Sequence, residues 1–319
     1  METELSSSRR TSTRLRTRNM PGSRAYVTPA KLNVRLKVMG RRPDGYHELM
    51  SIMVPVGLYD RIHLKVTSQK GIKISCSGLS APADETNLAC RAAEAFFANA
   101  GIDQGVSIGL TKNIPVAAGL GGGSSDAACV LKALNQTYSS PLSARELAEA
   151  ALGLGADVPF FLTGRPCIAA GVGELLQPIE DWPEFWYIII APPIQVSTSW
   201  VYGRLDAPLW NGSSELELTN EAYQYIIIHL KKRPFVIGPM LDNDLERITA
   251  ARFPVIGRIK RVLIEAGAEG ALMSGSGPSV FGVFRSKDKA LQAKEALATR
   301  NPGEVFLAQG LAGPPGFDI

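Results

Sequence analysis

Pro115-Val116-Ala117-Ala118-Gly119-Leu120-Gly121-Gly122-Gly123-Ser124-Ser125 is the most informative stretch of this 319-residue chain. It lies between a strand pattern carrying Val106, Ile108 and Leu110 and a helical pattern over Asp126 to Asn135. Glycines at 119, 121, 122 and 123 let the backbone approach a ligand closely, and the first N–H groups of the following helix have no partner inside it, which favours an anion such as phosphate. No lysine follows at P-loop spacing, and the glycines do not form the G-x-G-x-x-G dinucleotide pattern. A turn of small packing residues is the plainer alternative for the stretch taken alone.

Upstream, Leu32, Val34, Leu36 and Val38 alternate with Lys31, Asn33, Arg35 and Lys37, the period of a half-buried strand, so Lys31 and Asn33 point the same way. Pro43-Asp44-Gly45 reads as a turn, followed by an apolar run Ile52 to Val56 and a strand with Ile62, Leu64 and Val66 inward. Asn87 to Ala100 reads as the first helix. Ser143 and Glu146 form a capping box opening a helix to about Leu154, which the segment Gly155 to Pro159 ends. The second half opens near Gly171-Val172-Gly173, with a strand over Tyr187 to Ile190 and helices over Glu221 to Leu230 and Pro254 to Ala266. A strand-loop-strand over Ala271 to Phe284, a helix over Lys287 to Thr299 and a strand near Val305 follow. Strands and helices mix without strict alternation, which predicts α+β rather than a doubly wound sheet.

Composition excludes several classes. With 45% hydrophobic and 20% charged residues the chain is neither disordered nor fibrous. No apolar run approaches the roughly 18 residues needed to span a bilayer. Six arginines against Glu2 and Glu4 in residues 1–24 account for the whole formal charge of +4, so the remainder is neutral and has no field to draw it to nucleic acid. That basic stretch reads as a disordered tail; Glu2 and Glu4 argue against a transit peptide, and Met20 is an alternative start. Cys76, Cys90, Cys129 and Cys167 form no C-x-x-C pair and only three histidines accompany them, which argues against zinc and for a reducing, cytoplasmic setting.

The glycine stretch, together with Pro29-Ala30-Lys31-Leu32-Asn33 and Met273-Ser274-Gly275-Ser276-Gly277-Pro278-Ser279, resembles the three ordered motifs of the GHMP kinases, named for galactose, homoserine, mevalonate and phosphomevalonate kinases. The segments Pro43 to Leu49 and Leu154 to Phe160 are similar to the branch whose acceptor is a cytidine diphosphate alcohol in non-mevalonate isoprenoid synthesis. The resemblance runs from about Pro29 to Phe284 and is weakest between about Asp206 and Ile237. It implies a two-domain α+β fold with the active site in the interdomain cleft, a nucleotide-binding domain over 25–171 and a substrate-contributing domain over 172–319.

The reaction so implied moves the γ-phosphoryl group of ATP to a tertiary 2-hydroxyl. An alcohol is a poor nucleophile, so the site must position it, take its proton and neutralise charge on the transferred group. The resemblance puts Asp157 in the role of base with Lys31 beside it. For the acceptor it implies Asn33, Tyr46, His47, Thr198 and Tyr202, with a cytosine between the rings of Tyr46 and Tyr202. Trp200 departs from the smaller residue expected at its position, which predicts an altered pocket wall. Around ATP it implies Asn87 and Leu88 near the base, Lys112, and the run Pro115 to Ser125, including Val116, Ala117, Ala118, Gly119, Leu120, Gly121, Gly122, Gly123 and Ser124. Ser274, Gly275, Ser276 and Gly277 are expected to close on substrate phosphate or on the first glycine loop. The chemistry calls for Mg²⁺; Ser124 and Ser125 offer hydroxyls to phosphate or to the ion, and the sequence fixes no protein ligand for it. The expected partner is a small molecule, with no nucleic acid or membrane, and the chain is expected to be a monomer or weak homodimer. Another GHMP-type acceptor, such as homoserine or a mevalonate derivative, is disfavoured by the Asp44 to His47 segment. A non-catalytic relative should have lost Lys31 or Asp157.

Overall fold

In the computed structural model, residues 23–209, 221–298, 300 and 303–313 are described. The basic stretch falls outside them up to residue 22, as does Met20, whereas Arg24, assigned above to the tail, opens the first strand.

Two sheets carry the fold. The first holds β1 (Arg24–Arg41), β2 (His47–Thr67), β3 (Gly71–Gly78), β4 (Gly105–Lys112), β5 (Cys167–Gly171), β6 (Leu175–Pro178) and β8 (Asp242–Asn243). Its order is β3-β4-β2-β1-β8, and the β5–β6 hairpin pairs with β2. The second has the order β11 (Glu304–Gln309), β7 (Trp186–Ala191), β10 (Val280–Phe284), β9 (Gly270–Met273). The turn Gly171–Gly173 therefore lies inside the first sheet, and the boundary expected at 171/172 cuts a hydrogen-bonded hairpin.

On one side of the first sheet, Ile62, Leu64, Val106, Ile108 and Leu110 pack on α1 (Leu88–Ala100) and α2 (Gly122–Thr137) through Ala92, Phe96, Val130 and Leu134. On the other, Leu32, Val34 and Ile52 meet Tyr187, Ile189 and Phe281 of the second sheet. Ile188 and Ile190 point the opposite way, onto α8 (Val255–Glu265) and α9 (Lys287–Ala298). A strand buried on both faces has no polar face to alternate with, which explains the unbroken apolar run of β7.

Three differences from the sequence reading matter for the site. The glycine stretch is already helical from Gly122, not from Asp126. Two short helices come without a sequence signal strong enough to read, α5 (Thr198–Gly203) and α7 (Glu246–Arg252), and α4 (Val158–Thr163) follows at once on α3 (Ala144–Leu154). The polar face of β1 is not half exposed either: Lys31, Asn33 and Arg35 are 4%, 4% and 8% exposed. That face looks into a cleft roofed by the second half of the chain.

Candidate active site

The cleft has a volume of about 980 Å³ and is lined by Lys31, Asn33, His47, Gly119, Gly121 and Asp157 from one half and by Thr198, Tyr202, Leu245 and Gly275 from the other. Lys31 comes from the middle of β1, where its backbone N–H donates to Leu120 O at 2.9 Å and ties the strand to the glycine loop. Its ammonium lies 3.3 Å from Asp157 Oδ2 and also donates to Asn33 Oδ1. Asn33 Nδ2 in turn donates to Ser51 Oγ at 2.9 Å, and Ser51 Oγ to Arg35 O at 2.6 Å. Asp157 precedes the first turn of α4 but leaves that helix end uncapped, so its carboxylate is available to Lys31. The two residues that the resemblance placed side by side are in contact.

The glycine loop is held in shape from the opposite half. Ser274 Oγ accepts from Asn33 N–H at 3.2 Å and donates to Gly119 O at 2.9 Å, so the second glycine turn closes on the first loop, one of the two alternatives expected for it. A Cβ at Gly119, whose φ is +77°, would sit 2.1 Å from Ser274 O, so no other residue fits there. Asn243 Nδ2, absent from the sequence reading, donates to both Met273 O and Gly275 O at 2.8 Å and fixes this turn. Ser276 and Thr198 share a 2.8 Å hydroxyl contact on the cleft wall.

At the far end of the cleft the ring that faces Tyr202 is His47, with centroids 5.0 Å apart and planes tilted by 32°. Tyr46 also lines the cleft but is 65% exposed, so the pair expected to sandwich a base differs from the pair in contact here. Burial, reinforced by the nearby charge of Arg41, lowers the His47 pKa, which favours the neutral imidazole. Burial and the charge of Asp157 raise the Tyr202 phenol above its ordinary range, so it stays protonated. Trp200 is no part of the wall: its ring lies against Arg252 and Arg204, 5.1 and 5.7 Å from the guanidinium carbons. Arg41, which the sequence reading missed, lines the cleft beside His47, its backbone N–H held by Pro208 O at 2.7 Å.

A second cavity of about 330 Å³ adjoins the first and shares Ala117, Gly119, Gly121 and Ser124 with it. Asn87, Leu88, Lys112, Pro115, Val116, Ala118, Gly122 and Gly123 line it, as expected for the nucleotide side. Asn87 is also the cap of α1, its Oδ1 accepting from Ala89 N–H at 2.9 Å and its Nδ2 donating to Pro82 O at 2.7 Å. Ser125 is 1% exposed and its Oγ has no hydrogen-bond partner. Lys112, although it stands at the very end of β4, is not solvated. It is 3% exposed, donating to Asp126 Oδ2 at 2.8 Å and to Asp60 Oδ2. The signal for this cluster was available: period two puts Asp60 on the inward side with Ile62 and Leu64, and Lys112 with Ile108 and Leu110. Among the described residues no group of three or more His, Cys, Asp or Glu gathers into a metal site.

Two family models match the chain, GHMP kinases N terminal domain over residues 87–165 and GHMP kinases C terminal over residues 236–303. A 4-diphosphocytidyl-2-C-methyl-D-erythritol kinase of Syntrophotalea carbinolica is 46% identical over 285 residues, covering 89% of this chain and 98% of the relative. A kinase of the same name from Geobacter metallireducens is 44% identical over 283 residues, covering 89% and 97%. The crystal structure of a 4-(cytidine 5'-diphospho)-2C-methyl-D-erythritol kinase superposes with a TM-score of 0.74 at 37% identity, over 91% of this chain and 100% of that one. The homoserine kinase of Cytophaga hutchinsonii, at 20% identity and a TM-score of 0.67 over 95% of this chain and 98% of that one, shares the fold.

Proposed function

Because the chain belongs to the GHMP kinases, in the branch of the 4-diphosphocytidyl-2-C-methyl-D-erythritol kinases, we propose that it transfers the γ-phosphoryl group of ATP to the 2-hydroxyl of that cytidine diphosphate alcohol. It is a kinase of an alcohol, and ATP is its donor. One observation carries the assignment of roles: the Lys31–Asp157 pair, 3.3 Å apart, stands in a cleft that meets a second cavity across the glycine loop. An acceptor in the larger space and a triphosphate in the smaller would meet over that loop.

Asp157 accepts the hydroxyl proton. Lys31, itself buried and held by Asn33 and Asp157, stabilises the negative charge that develops on the oxygen, a task for a fixed cation. The free N–H groups at the start of α2 take the phosphates, and the glycines let the backbone come close enough. Tyr46, His47 and Tyr202 hold the cytosine, with neutral His47 able to donate or accept on its polar edge. Thr198 and the Ser274 to Gly277 turn flank the acceptor. Arg41 answers the charge of its diphosphate, because Lys31 is engaged with Asp157 and Arg42 is paired with Asp44 and Glu48.

Mg²⁺ fits this site as a passenger of the triphosphate, since the carboxylate that lines the smaller cavity, Asp126, is already bonded to Lys112. The Ser124 hydroxyl, which lines both cavities, is the side chain placed to touch it, and the ion would neutralise phosphate charge. No helix among the described residues is long and apolar enough to cross a membrane. Free cysteines support a cytoplasmic setting. A homoserine or mevalonate-like acceptor is not favoured by the names of the relatives.

The test is Asp157→Asn in a coupled ADP-release assay. Turnover should fall about 10²–10⁴-fold, the usual worth of a positioned proton acceptor, with the KM for ATP nearly unchanged. Near-normal turnover would reject the role.

A further inference from the structure

Lys112, Asp60, Asp126 and Thr28 form a hydrogen-bonded line behind the glycine loop, and each is at most 3% exposed. Thr28 Oγ1 on β1 donates to Asp126 Oδ1 on α2 at 2.8 Å, and Lys112 Nζ at the end of β4 donates to Asp126 Oδ2 and to Asp60 Oδ2 on β2. The other oxygen of Asp60 accepts the backbone N–H groups of Asn113 at 2.6 Å and Ile114 at 2.9 Å. These are the two residues that carry the chain from β4 to Pro115. A lysine ammonium has three donors, and two are spent on the carboxylates. The ammonium also abuts the loop, since a Cβ on Gly122 would lie 3.1 Å from Nζ, and Lys112 lines the smaller cavity.

We propose that Asp60 and Asp126 are positioning residues for the phosphoryl donor, acting through Lys112 and the loop entry rather than by touching the nucleotide. The proposal rests on the reading of the smaller cavity as the site of ATP. The two carboxylates hold the ammonium so that its remaining N–H faces the cavity, and Asp60 sets the direction in which the backbone enters the glycine loop. Electrostatics alone argues the reverse. Two carboxylates against one ammonium leave an excess of negative charge beside a triphosphate, so neutralising one of them should tighten nucleotide binding. Burial pushes the Asp126 carboxyl up to about 7, against the pull of Lys112 and with Asp60 adding to the rise, which lessens that excess near neutral pH. The placement of an anion where it opposes the ligand is explained if its service is geometric.

The sign of one measurement separates the two accounts. In Asp60→Asn the Kd for fluorescent ADP and the KM for ATP should rise about tenfold, the scale of one charge-assisted hydrogen bond, with the acceptor KM within about twofold of the parent. On a Lys112→Ala background the same substitution should add little, because the route through Lys112 is gone. A tighter ADP complex, equal changes in both KM values, or additive effects with Lys112→Ala would overturn the proposal. If Asp60→Asn gives no cooperative melt, Thr28→Val serves instead, and its ADP Kd should rise about two- to threefold, a smaller effect because Thr28 reaches the ammonium only through Asp126. An unchanged Kd would overturn the proposal. A wild-type chain that fails to bind ADP would bring down the nucleotide reading and this one with it, whereas binding by wild type and variants alike removes only the positioning role.

Discussion

Burying Lys31 to 4% exposure is costly unless its charge is answered, and the answer is Asp157 with Asn33. That Lys31 and Asn33 share a face was legible in the alternation of β1. That Arg41 reaches the same cleft was not, since it lies beyond the alternation that ends at Val38 and past a register shift between Val38 and Gly40. Arg41 is the residue on which acceptor charge should be read. Arg41→Ala should raise the KM for the cytidine diphosphate alcohol about tenfold, with turnover and the KM for ATP within about twofold, and Arg41→Lys should recover part of the loss because a charge remains without the planar fork. Steady-state kinetics with each substrate varied in turn checks this. An unchanged acceptor KM removes Arg41 from the site.

Among the elements, the glycine loop joins sequence to site. Its glycines are not equivalent. Gly119 has φ +77° and faces the carbonyl of Ser274, whereas a Cβ on Gly123 would meet Leu88 Cδ1 at an ordinary 3.5 Å inside α2. Gly119→Ala should therefore destabilise the fold by about 2 kcal/mol or more through strain and overlap, and Gly123→Ala should be neutral or stabilising by about 0.5–1 kcal/mol. Denaturant unfolding of the two variants beside the parent tests the contrast, and equal losses would discard it. The sequence pattern marked the loop as a phosphate cradle without distinguishing these positions, because the distinction depends on a turn far along the chain. α5 escaped notice for a related reason. It is six residues long with one buried side chain, Val201, too short to show a period.

For the molecule as a whole, the join between helices and first sheet buries a carboxyl whose affinity for a proton is raised. Asp126 faces Lys112 on β4, Asp60 on β2 and Thr28 on β1, and burial raises its pKa to about 7 from an ordinary 3.8. Between those values the folded state holds a proton that the unfolded chain has released, so this group's contribution to stability falls as pH rises from about 4 to about 7. Lys112, whose folded pKa is raised by Asp126 and Asp60 against burial, keeps its charge throughout that window, and His47 is common to both proteins. The melting midpoint of wild type minus that of Asp126→Asn should thus decrease from pH 5 to pH 8. Parallel curves would refute the shift.

The sequence alone determined the α+β class, the glycine loop, the shared face of Lys31 and Asn33 and the strands that carry them, because periodicity and glycine placement are local properties of a chain. It even held the inward parity of Asp60 and Lys112. Only the tertiary structure decided that Lys31 meets Asp157, that Ser274 and Asn243 clamp the loop, that His47 rather than Tyr46 faces Tyr202, and that Lys112 is buried between two acids. Lys31–Asp157 and the Lys112 cluster join elements far apart within the first half, the Ser274 and His47–Tyr202 contacts join opposite halves, and the geometry of all of them is set by how sheets and helices pack, which no local pattern encodes.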